Sequence, residues 1–363
     1  MGSVMTVLGA IDSKHLGNTS MHDHILVDTS FYKDQYKSVI PHISEDKLTV
    51  KCENMYYLRK GYFGISKDSL RLDDVDLAIK EVNYFKNSGG STILEVSPAG
   101  IRGKIQDIKR VSENTGVNVI VSTGFYGYGS WPEECVDMSI DELQAYIEKE
   151  IYEGIDGTNI KAGSIKIACN FLNRQEKKAL KAGIRASKKT GLPLTVHTGL
   201  GMTIKDTLKM ADIAVNKEGM DPQRLIMCHI DGFITKSLKI KDYILNYENA
   251  TQQLLNPVKK ILNMGANISF DTFGSLWTTE ILGTYRINDY DRIRGLLPLI
   301  KKGYSKQIVL GSDLFLKISY RRYSGNGYTR ILDFVIPMLK KLGVSQKDIN
   351  NMMINNPARL LSC

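Results

Sequence analysis

Short apolar runs separated by amphipathic stretches make up most of this chain. Eight runs rich in β-branched residues have the length and flanking turns of buried strands: residues 19–28, 91–97, 117–124, 163–168, 192–198, 224–230, 266–272 and 307–313. The stretches between them favour helices, and in one of them apolar residues recur at helical spacing at Val75, Ile79, Val82 and Phe85. Eight strands alternating with helices predict a (β/α)8 TIM barrel of the α/β class, with a doubly wound open sheet as the structural alternative.

Two connections between the predicted strands are unusually long. Residues 31–73 separate the first and second strands, and residues 125–161 separate the third and fourth. Both exceed what a loop and a helix need. Insertions of this kind in barrels commonly form active-site loops or subunit contacts. We therefore predict a single domain over residues 1–363, and the first insertion, rich in Tyr and Phe, could supply the interface of a homodimer.

Composition and charge narrow the class of protein. Hydrophobic residues make up 42% and charged residues 24% of the chain, which is typical of a folded, soluble protein. The formal net charge of +9 would suit a nucleic acid, a membrane surface or an acidic small molecule. However, the basic residues are dispersed, and neither a nucleic-acid module nor a long apolar span is recognisable. Because the five cysteines are scattered and suggest no disulfide framework, we expect a cytoplasmic protein without nucleic-acid or membrane partners.

Side chains able to bind metal ions lie toward the ends of five predicted strands: His22, His24, Lys166, His197, His229 and Asp313. The carboxyl ends of barrel strands meet at one mouth, so we expect these residues to converge. His22 and His24 are two residues apart and therefore project from the same face of a strand. Taken singly, a histidine could be a core residue and Asp313 could cap the following helix. The expected convergence of all six residues favours a metal site over these single-residue explanations.

Lys166 is the least expected member of this group because "SIKIA" places its ammonium group inside an apolar strand, where desolvation is costly. Reaction of the amine with carbon dioxide would remove the buried positive charge. The resulting carbamate is anionic and has two oxygens, so it can bridge two metal ions as a carboxylate does. Together with imidazole and carboxylate donors, this set suits two divalent ions, Zn first and also Mn, Co or Fe.

The motifs that carry these residues resemble the phosphotriesterase-like branch of the amidohydrolase superfamily. They run in the family's order along nearly the whole chain: "MHDH", "KAGSIKIA", "TVHT", "CHID", "GSD" and "NPARLL". The resemblance implies two metal positions with different ligands, the buried α metal held by His22, His24 and Asp313 and the more exposed β metal by His197 and His229. It also implies that a carbamate on Lys166 bridges both metals together with a hydroxide.

The resemblance further implies a hydrolytic reaction. A two-metal centre lowers the pKa of bridging water from about 15.7 toward 7 and polarises the substrate oxygen. The hydroxide would attack a lactone carbonyl, and Asp313 would accept its proton and relay it toward the leaving alkoxide. The segment "GFYGYG" is similar to one that contacts the lactone and the metal in lactonases of this branch. We predict that Tyr126 makes this contact with Tyr128 behind it, unless both merely wall the barrel mouth.

One departure from the family pattern bears on the substrate. Many lactonases of this branch carry an arginine directly after the Asp that ends strand seven, where this chain has Thr272, which puts acyl-homoserine lactones in doubt. The loops after strands seven and eight carry basic residues where barrels frequently bind phosphate. The branch includes lactonases of phosphorylated aldono-lactones, so we predict an aldono-1,4-lactone phosphate held by Arg286, Lys317 and Tyr320. Solvated loop charges are the alternative for these residues.

Three other functions stay open at this stage. The same centre could hydrolyse an organophosphate or a phosphodiester. However, a neutral triester gains no binding energy from the basic residues of the loops. It could also open a lactone that carries no phosphate. A basic nucleic-acid-binding or scaffold protein without catalysis is the alternative from a different class, and it would be expected to have lost part of the ligand set.

Overall fold

The strands of the computed structural model form one parallel sheet that follows chain order. The structure describes residues 2–199, 201–236, 245–276, 281 and 287–362. The eight strands of this sheet pair as neighbours in sequence: β1 Thr19–Asp23, β2 Thr92–Glu95, β3 Asn118–Phe125, β4 Ser164–Cys169, β5 Leu194–Thr198, β6 Leu225–Met227, β7 Asn267–Phe270 and β8 Ile308–Leu310. Sequential order with parallel pairing confirms the TIM barrel and excludes the doubly wound sheet, in which the strand order reverses.

Helices cover the outside of the barrel and alternate with its strands. The principal ones are α1 Val75–Asn87, α2 Ile105–Thr115, α3 Ile140–Tyr152, α4 Arg174–Thr190, α5 Ile204–Asp212, α6 Tyr247–Asn263, α7 Asp289–Lys301 and α8 Ile336–Lys341. Shorter helices span Tyr32–Lys37, Met55–Arg59, Ile230–Lys236, Gln346–Asn350 and Asn356–Leu361. Segments of π-helix occupy Ile213–Lys217, Ile331–Val335 and Asn351–Asn355. No helix in the described ranges is both long enough and apolar enough to cross a bilayer.

Local sequence signals explain where α4 begins and ends. The side chain of Asn173 accepts a hydrogen bond from the backbone N–H of Glu176, and the Glu176 side chain binds the Asn173 N–H in return. This capping box satisfies two backbone donors that the first turn leaves without helical partners. Gly191 ends the helix in the left-handed conformation, φ 75°, which glycine adopts without steric cost. The helix therefore starts directly after β4 and is fixed at the mouth end of that strand.

Several strands end before the apolar runs that predicted them. β6 ends at Met227 and β8 at Leu310, although the runs continue to residues 230 and 313. His229 and Asp313 have positive φ angles of 58° and 46°. A left-handed backbone cannot continue the pleated ladder, so both residues lie in the loops just beyond the strands. The candidate ligands therefore stand at the rim of the barrel, where loops define the site.

The ring closes where the loop after β8 meets β1. The backbone N–H groups of Ser312 and Asp313 both donate to the carbonyl of His22, at 3.2 and 2.9 Å. Gly311 makes this approach possible because a Cβ at that position would lie 2.7 Å from the Cβ of His22. Two candidate ligands that are far apart in sequence are thus joined through the backbone.

The floor of the barrel is apolar and sealed. Buried side chains from five strands meet in its lower interior: Met21, Leu94, Ile120, Ile226 and Val309. The N-terminal hairpin, Ser3–Thr6 paired with Gly9–Asp12, and the helix Asn356–Leu361 add Val4 and Leu360 to this cluster. The candidate ligands therefore lie at the opposite end, near the carboxyl ends of the strands, where barrels build their active sites.

Candidate metal centre

The first candidate group lies where β1 meets the loop after β8. The Nε2 atoms of His22 and His24 are 3.4 and 3.3 Å from the same carboxylate oxygen, Oδ1 of Asp313. One ligand atom from each of these three residues lies within 4.8 Å of the other two. His22 and His24 are buried, and Asp313 keeps 17% of its side chain exposed toward the mouth. Three donors around one small space are the arrangement that a metal ion requires.

His197 and His229 form the second candidate group, at the ends of β5 and β6. Their rings are 4.5 Å apart, and Nδ1 of His197 is 2.7 Å from Nε2 of His229. The His229 ring also lies 4.8 Å from that of His22, so the two groups are adjacent. The structure thus brings the four predicted histidines and Asp313 together at one mouth.

Lys166 lies between these groups. Its side chain is fully buried in β4, and its Nζ is 3.0 Å from Nε2 of His22. No carboxylate of the described part of the chain is hydrogen-bonded to that nitrogen. Gly124 lets the strands approach here, because a Cβ at that position would lie 2.1 Å from the Lys166 carbonyl oxygen. A buried ammonium group without a carboxylate partner is costly, whereas a carbamate with two oxygens would suit this place.

Asp271 contacts two of the histidines, a role that the sequence pattern did not indicate. Its Oδ2 is 2.8 Å from Nδ1 of His22, and its Oδ1 is 2.8 Å from Nδ1 of His229. The backbone N–H of His229 also donates to Oδ1, at 3.0 Å. Histidines that bind metals usually donate their other ring N–H to such an acceptor. The position of Asp271 directly after β7 could have indicated this role, because the other candidates also lie at the ends of strands.

Burial favours the neutral form of His22 and His197, whereas at His229 the carboxylates of Asp271 and Asp313 outweigh burial and raise the pKa. Burial, followed by the neighbouring Lys166, lowers the pKa of His22 to about 4. Burial and the charge of His229 likewise hold the pKa of His197 well below its usual value. Nδ1 of His24 lies 2.7 Å from the hydroxyl oxygen of Ser97, which leaves Nε2 turned toward Asp313. Neutral imidazole is the form that binds metal ions.

Asp313 is ionised despite its burial. Burial raises its pKa, but the charge of His229 and the contacts with His24 and His22 outweigh that effect and hold the pKa well below the usual range. Its φ of 46° is one of few such values among the described non-glycine residues. Strained backbone of this kind persists where the surrounding structure fixes it and is concentrated at functional sites. The carboxylate is therefore ionised and fixed in place.

The donor set fits two divalent metal ions. It consists of imidazole nitrogens, one carboxylate and a lysine placed between the two groups. The second ring nitrogens of His22, His24 and His229 each lie within 2.8 Å of an oxygen atom. Nitrogen and oxygen donors of this kind suit zinc and also manganese, cobalt or iron. The chemistry of the residues thus agrees with a binuclear centre.

The two tyrosines predicted to contact the substrate have different environments. The ring of Tyr126 lies 5.0 Å from that of His197, and its hydroxyl accepts a hydrogen bond from Tyr32 at 3.0 Å. Tyr32 belongs to the first insertion, so that loop reaches the centre. Tyr128 is 38% exposed and packs edge-on against Trp131. Tyr126 therefore borders the candidate centre, whereas Tyr128 stands outside it.

The predicted phosphate contacts are not supported by the described residues. Tyr320 is buried, and its hydroxyl donates to the carbonyl of Ile25 at 3.4 Å, so the assignment of a phosphate contact to it is wrong. The ammonium group of Lys317 is paired with Asp68 at 2.5 Å and Asp73 at 3.7 Å, and these carboxylates neutralise the charge that a phosphate would need. Arg286 lies outside the described residues.

A buried ion network surrounds Thr272, the residue that departs from the family pattern. The Thr272 hydroxyl donates to Asp231 at 2.7 Å and accepts from Nε of Arg292 at 2.8 Å. Arg292 belongs to α7 and is fully buried between Asp231 and Asp289. A guanidinium group is thus present beside strand seven, although it comes from a helix instead of from the strand.

Comparisons with known proteins agree with this geometry. The sequence pattern of the phosphotriesterase family matches residues 2–361. The N-acetyltaurine hydrolase of Dictyostelium discoideum is 31% identical over 388 aligned positions, which cover 100% of this chain and 98% of that protein. A resiniferatoxin-binding protein from Rhodobacter sphaeroides has a similar structure, with a TM-score of 0.81, 29% identity and coverage of 99% and 95%. A mutant phosphotriesterase-like lactonase from Deinococcus radiodurans has a TM-score of 0.72 at 21% identity, with coverage of 99% and 100%.

Proposed function

This chain belongs to the phosphotriesterase family, and on that basis we propose that it is a binuclear metal-dependent hydrolase of a small anionic N-acyl compound, with N-acetyltaurine as the first candidate substrate. The observation that carries the hydrolase assignment is the convergence of four histidines, Lys166 and Asp313 at one barrel mouth. The amide substrate is supported by the relative named N-acetyltaurine hydrolase, which matches over its whole length.

In this proposal, the metal positions follow the two groups of donors. His22, His24 and Asp313 would hold the more buried ion and His197 and His229 the more exposed one. A carbamate on Lys166, between the groups, would bridge them. Two divalent ions bound here would lower the pKa of water and polarise the acyl carbonyl.

The proton would be handled by Asp313. Hydrolysis of an N-acyl amide adds water to the carbonyl carbon, breaks the C–N bond and delivers a proton to the departing amine. The Asp313 carboxylate is ionised and partly exposed toward the mouth, so it would accept the proton from the attacking water and return it to the nitrogen. Tyr126, whose ring borders His197, would form the wall of the acyl pocket.

The phosphorylated sugar lactone predicted from the sequence is now the weaker proposal. It depended on Arg286, Lys317 and Tyr320, of which Lys317 is engaged by carboxylates and Tyr320 is buried. The likeness to the Deinococcus lactonase concerns the fold alone. Nevertheless, esters, lactones and amides all present a carbonyl to the same centre, so they belong in the same test.

A substrate panel tests the proposal. The enzyme would be loaded with zinc or manganese in the presence of bicarbonate and assayed with N-acetyltaurine, with its ester analogue O-acetylisethionate, and with 1,4-aldonolactones with and without a 5-phosphate. We expect the highest kcat/KM for N-acetyltaurine, measured as primary amine released from that substrate and as acid released from the ester and the lactones. Asp313→Asn should lower kcat by about 10²–10⁴-fold, the usual contribution of a general acid-base group.

Each other result identifies a different function. Preference for the phosphorylated lactone over both taurine derivatives would reject the amide substrate and restore the prediction from sequence. Hydrolysis of the ester without the amide would make the protein an esterase. An enzyme loaded with metal that hydrolyses none of these compounds would direct the search to phosphoesters.

A further inference from the structure

Each candidate histidine ligand has one ring nitrogen that faces the centre and a second, far nitrogen that points away from it. Three of the far nitrogens lie beside an oxygen atom, and the neighbour of the fourth is still to be assigned. Nδ1 of His22 and of His229 both meet Asp271, and Nδ1 of His24 meets Ser97. His197 has the opposite orientation: its Nδ1 faces His229, so its far nitrogen is Nε2. If Nδ1 binds a metal, Nε2 must carry the hydrogen and needs an acceptor.

Asn170 stands where such an acceptor is needed. It follows β4 directly and alternates with Lys166 and Ala168, so it continues the inward face of that strand above the lysine. Its backbone is fixed from two sides, because its N–H donates to Glu176 at 3.0 Å and its carbonyl accepts from the N–H of Gly201 at 3.1 Å. Only 5% of the residue is exposed.

Two glycines enclose the Asn170 side chain. A Cβ on Gly127 would lie 2.6 Å from its amide nitrogen, and a Cβ on Gly199 would lie 1.6 Å from its Oδ1. The same Cβ on Gly199 would be 2.8 Å from Nε2 of His197, so Oδ1 and Nε2 border one small space. The absence of side chains at these two loop positions is what leaves room for the amide.

The amide oxygen has an unused bonding capacity. Oδ1 of Asn170 is buried and has no hydrogen-bond partner among the described residues. Leaving a buried acceptor unsatisfied costs about 1–3 kcal/mol, so such atoms usually have a role. The side chain also interacts with the hydroxyl of Tyr32, which in turn donates to Tyr126. Tyr32 of the first insertion therefore borders the amide.

We propose that Asn170 is a positioning residue for the more exposed metal: its Oδ1 accepts the Nε2 hydrogen of His197 and thereby turns the Nδ1 lone pair into the centre. This inference rests on the proposed binuclear function. The residue after strand four thereby contributes to metal binding, and the first insertion affects the centre indirectly through Tyr32.

Zinc titration of the full chain in bicarbonate, by competition with a chelating dye, tests this role. The wild type should bind two zinc ions. Asn170→Ala should weaken the second ion by about 10–100-fold and leave the first unchanged, because that is the usual effect of removing a partner of a ligating histidine. Asn170→Asp keeps an acceptor oxygen, so it should restore tight binding of the second ion. The Co(II) absorption spectrum should show the same loss and recovery without any assay of turnover.

Asn173→Ala is the matched control. It removes the N-cap of α4 three residues away and should lower the melting temperature without changing either zinc affinity. The inference is overturned if Asn170→Ala retains both affinities, if it weakens both ions equally, or if Asn170→Asp binds as poorly as Asn170→Ala. A wild-type protein that binds fewer than two zinc ions would instead overturn the proposed binuclear function.

Discussion

At the scale of single residues, Asp271 shows how one carboxylate orders two ligands. Each of its oxygens lies 2.8 Å from a different imidazole nitrogen, one on His22 and one on His229. Both rings must therefore present their Nε2 atoms to the centre. Because His22 and His229 belong to different metal positions in the proposed centre, Asp271 couples the geometry of the two.

Asp271→Asn tests this coupling. An amide offers one acceptor oxygen and one NH2 group, so it can accept from only one of the two imidazoles and opposes the N–H of the other. We expect zinc affinity to fall by about 10–100-fold, measured by competition with a chelating dye. Asp141→Asn, a change on the exposed surface of α3, should have no effect. Equal zinc binding by both variants would show that Asp271 does not order the ligands.

At the scale of elements, α7 reaches back to the end of β7 through Arg292. Its guanidinium group connects Asp231, Thr272 and Asp289, which come from three different loops or helix ends around the mouth. Arg330 adds a second cation to Asp289, at 2.6 Å. The loop after β8 is held in a similar way, since Glu81 of α1 accepts the backbone N–H groups of Arg321 and Arg322. These contacts connect the loops at the rim of the barrel to the helices around it.

Arg292→Met should destabilise the fold strongly. The substitution leaves the fully buried carboxylate of Asp231 without its cation, and breaking a buried pair from one side costs about 3–5 kcal/mol. The loss would be measured as the free energy of unfolding in urea. Arg185→Met removes an exposed arginine paired with Asp141 and should leave that free energy nearly unchanged. If the two variants unfold at the same urea concentration, the network around Thr272 does not stabilise the mouth.

At the scale of the whole molecule, the barrel separates an apolar floor from a polar mouth. The floor is closed by the N-terminal hairpin and the C-terminal helix, while the mouth gathers imidazoles, carboxylates and a lysine with little solvent. A centre of this kind contains groups that are costly to bury without metal ions. Metal binding should therefore contribute to the stability of the folded chain as well as to its chemistry.

Removal of metal tests that expectation. Protein stripped with a chelator should melt at a lower temperature, and zinc with bicarbonate should restore it, since each ion at 100 times its dissociation constant adds about 2.7 kcal/mol. Differential scanning calorimetry would measure the shift. Lys166→Met, which removes the proposed bridge, should show a smaller rise on adding zinc. A melting temperature independent of zinc in the wild type would argue against a metal centre.

The sequence by itself determined the barrel and the approximate place of the centre. Strands and helices have distinct hydrophobic periods, and parallel strands in sequential order bring their carboxyl ends to one side. A histidine, lysine or aspartate toward the ends of five of the eight runs was therefore enough to predict that His22, His24, Lys166, His197, His229 and Asp313 converge, which the structure shows. Their binding of metal remains a prediction.

Only the tertiary structure decided which polar residues face one another. The charge on Lys317 is evident in the sequence, but its pairing with Asp68 depends on how the first insertion folds over the loop after β8. Tyr320 could be taken from the sequence for a residue of the mouth, and only the structure shows that its side chain is buried. The contacts of Asp271 likewise join residues from separate strands. Periodicity reports which face a residue occupies, whereas hydrogen bonds depend on distances between chain segments that no local pattern encodes.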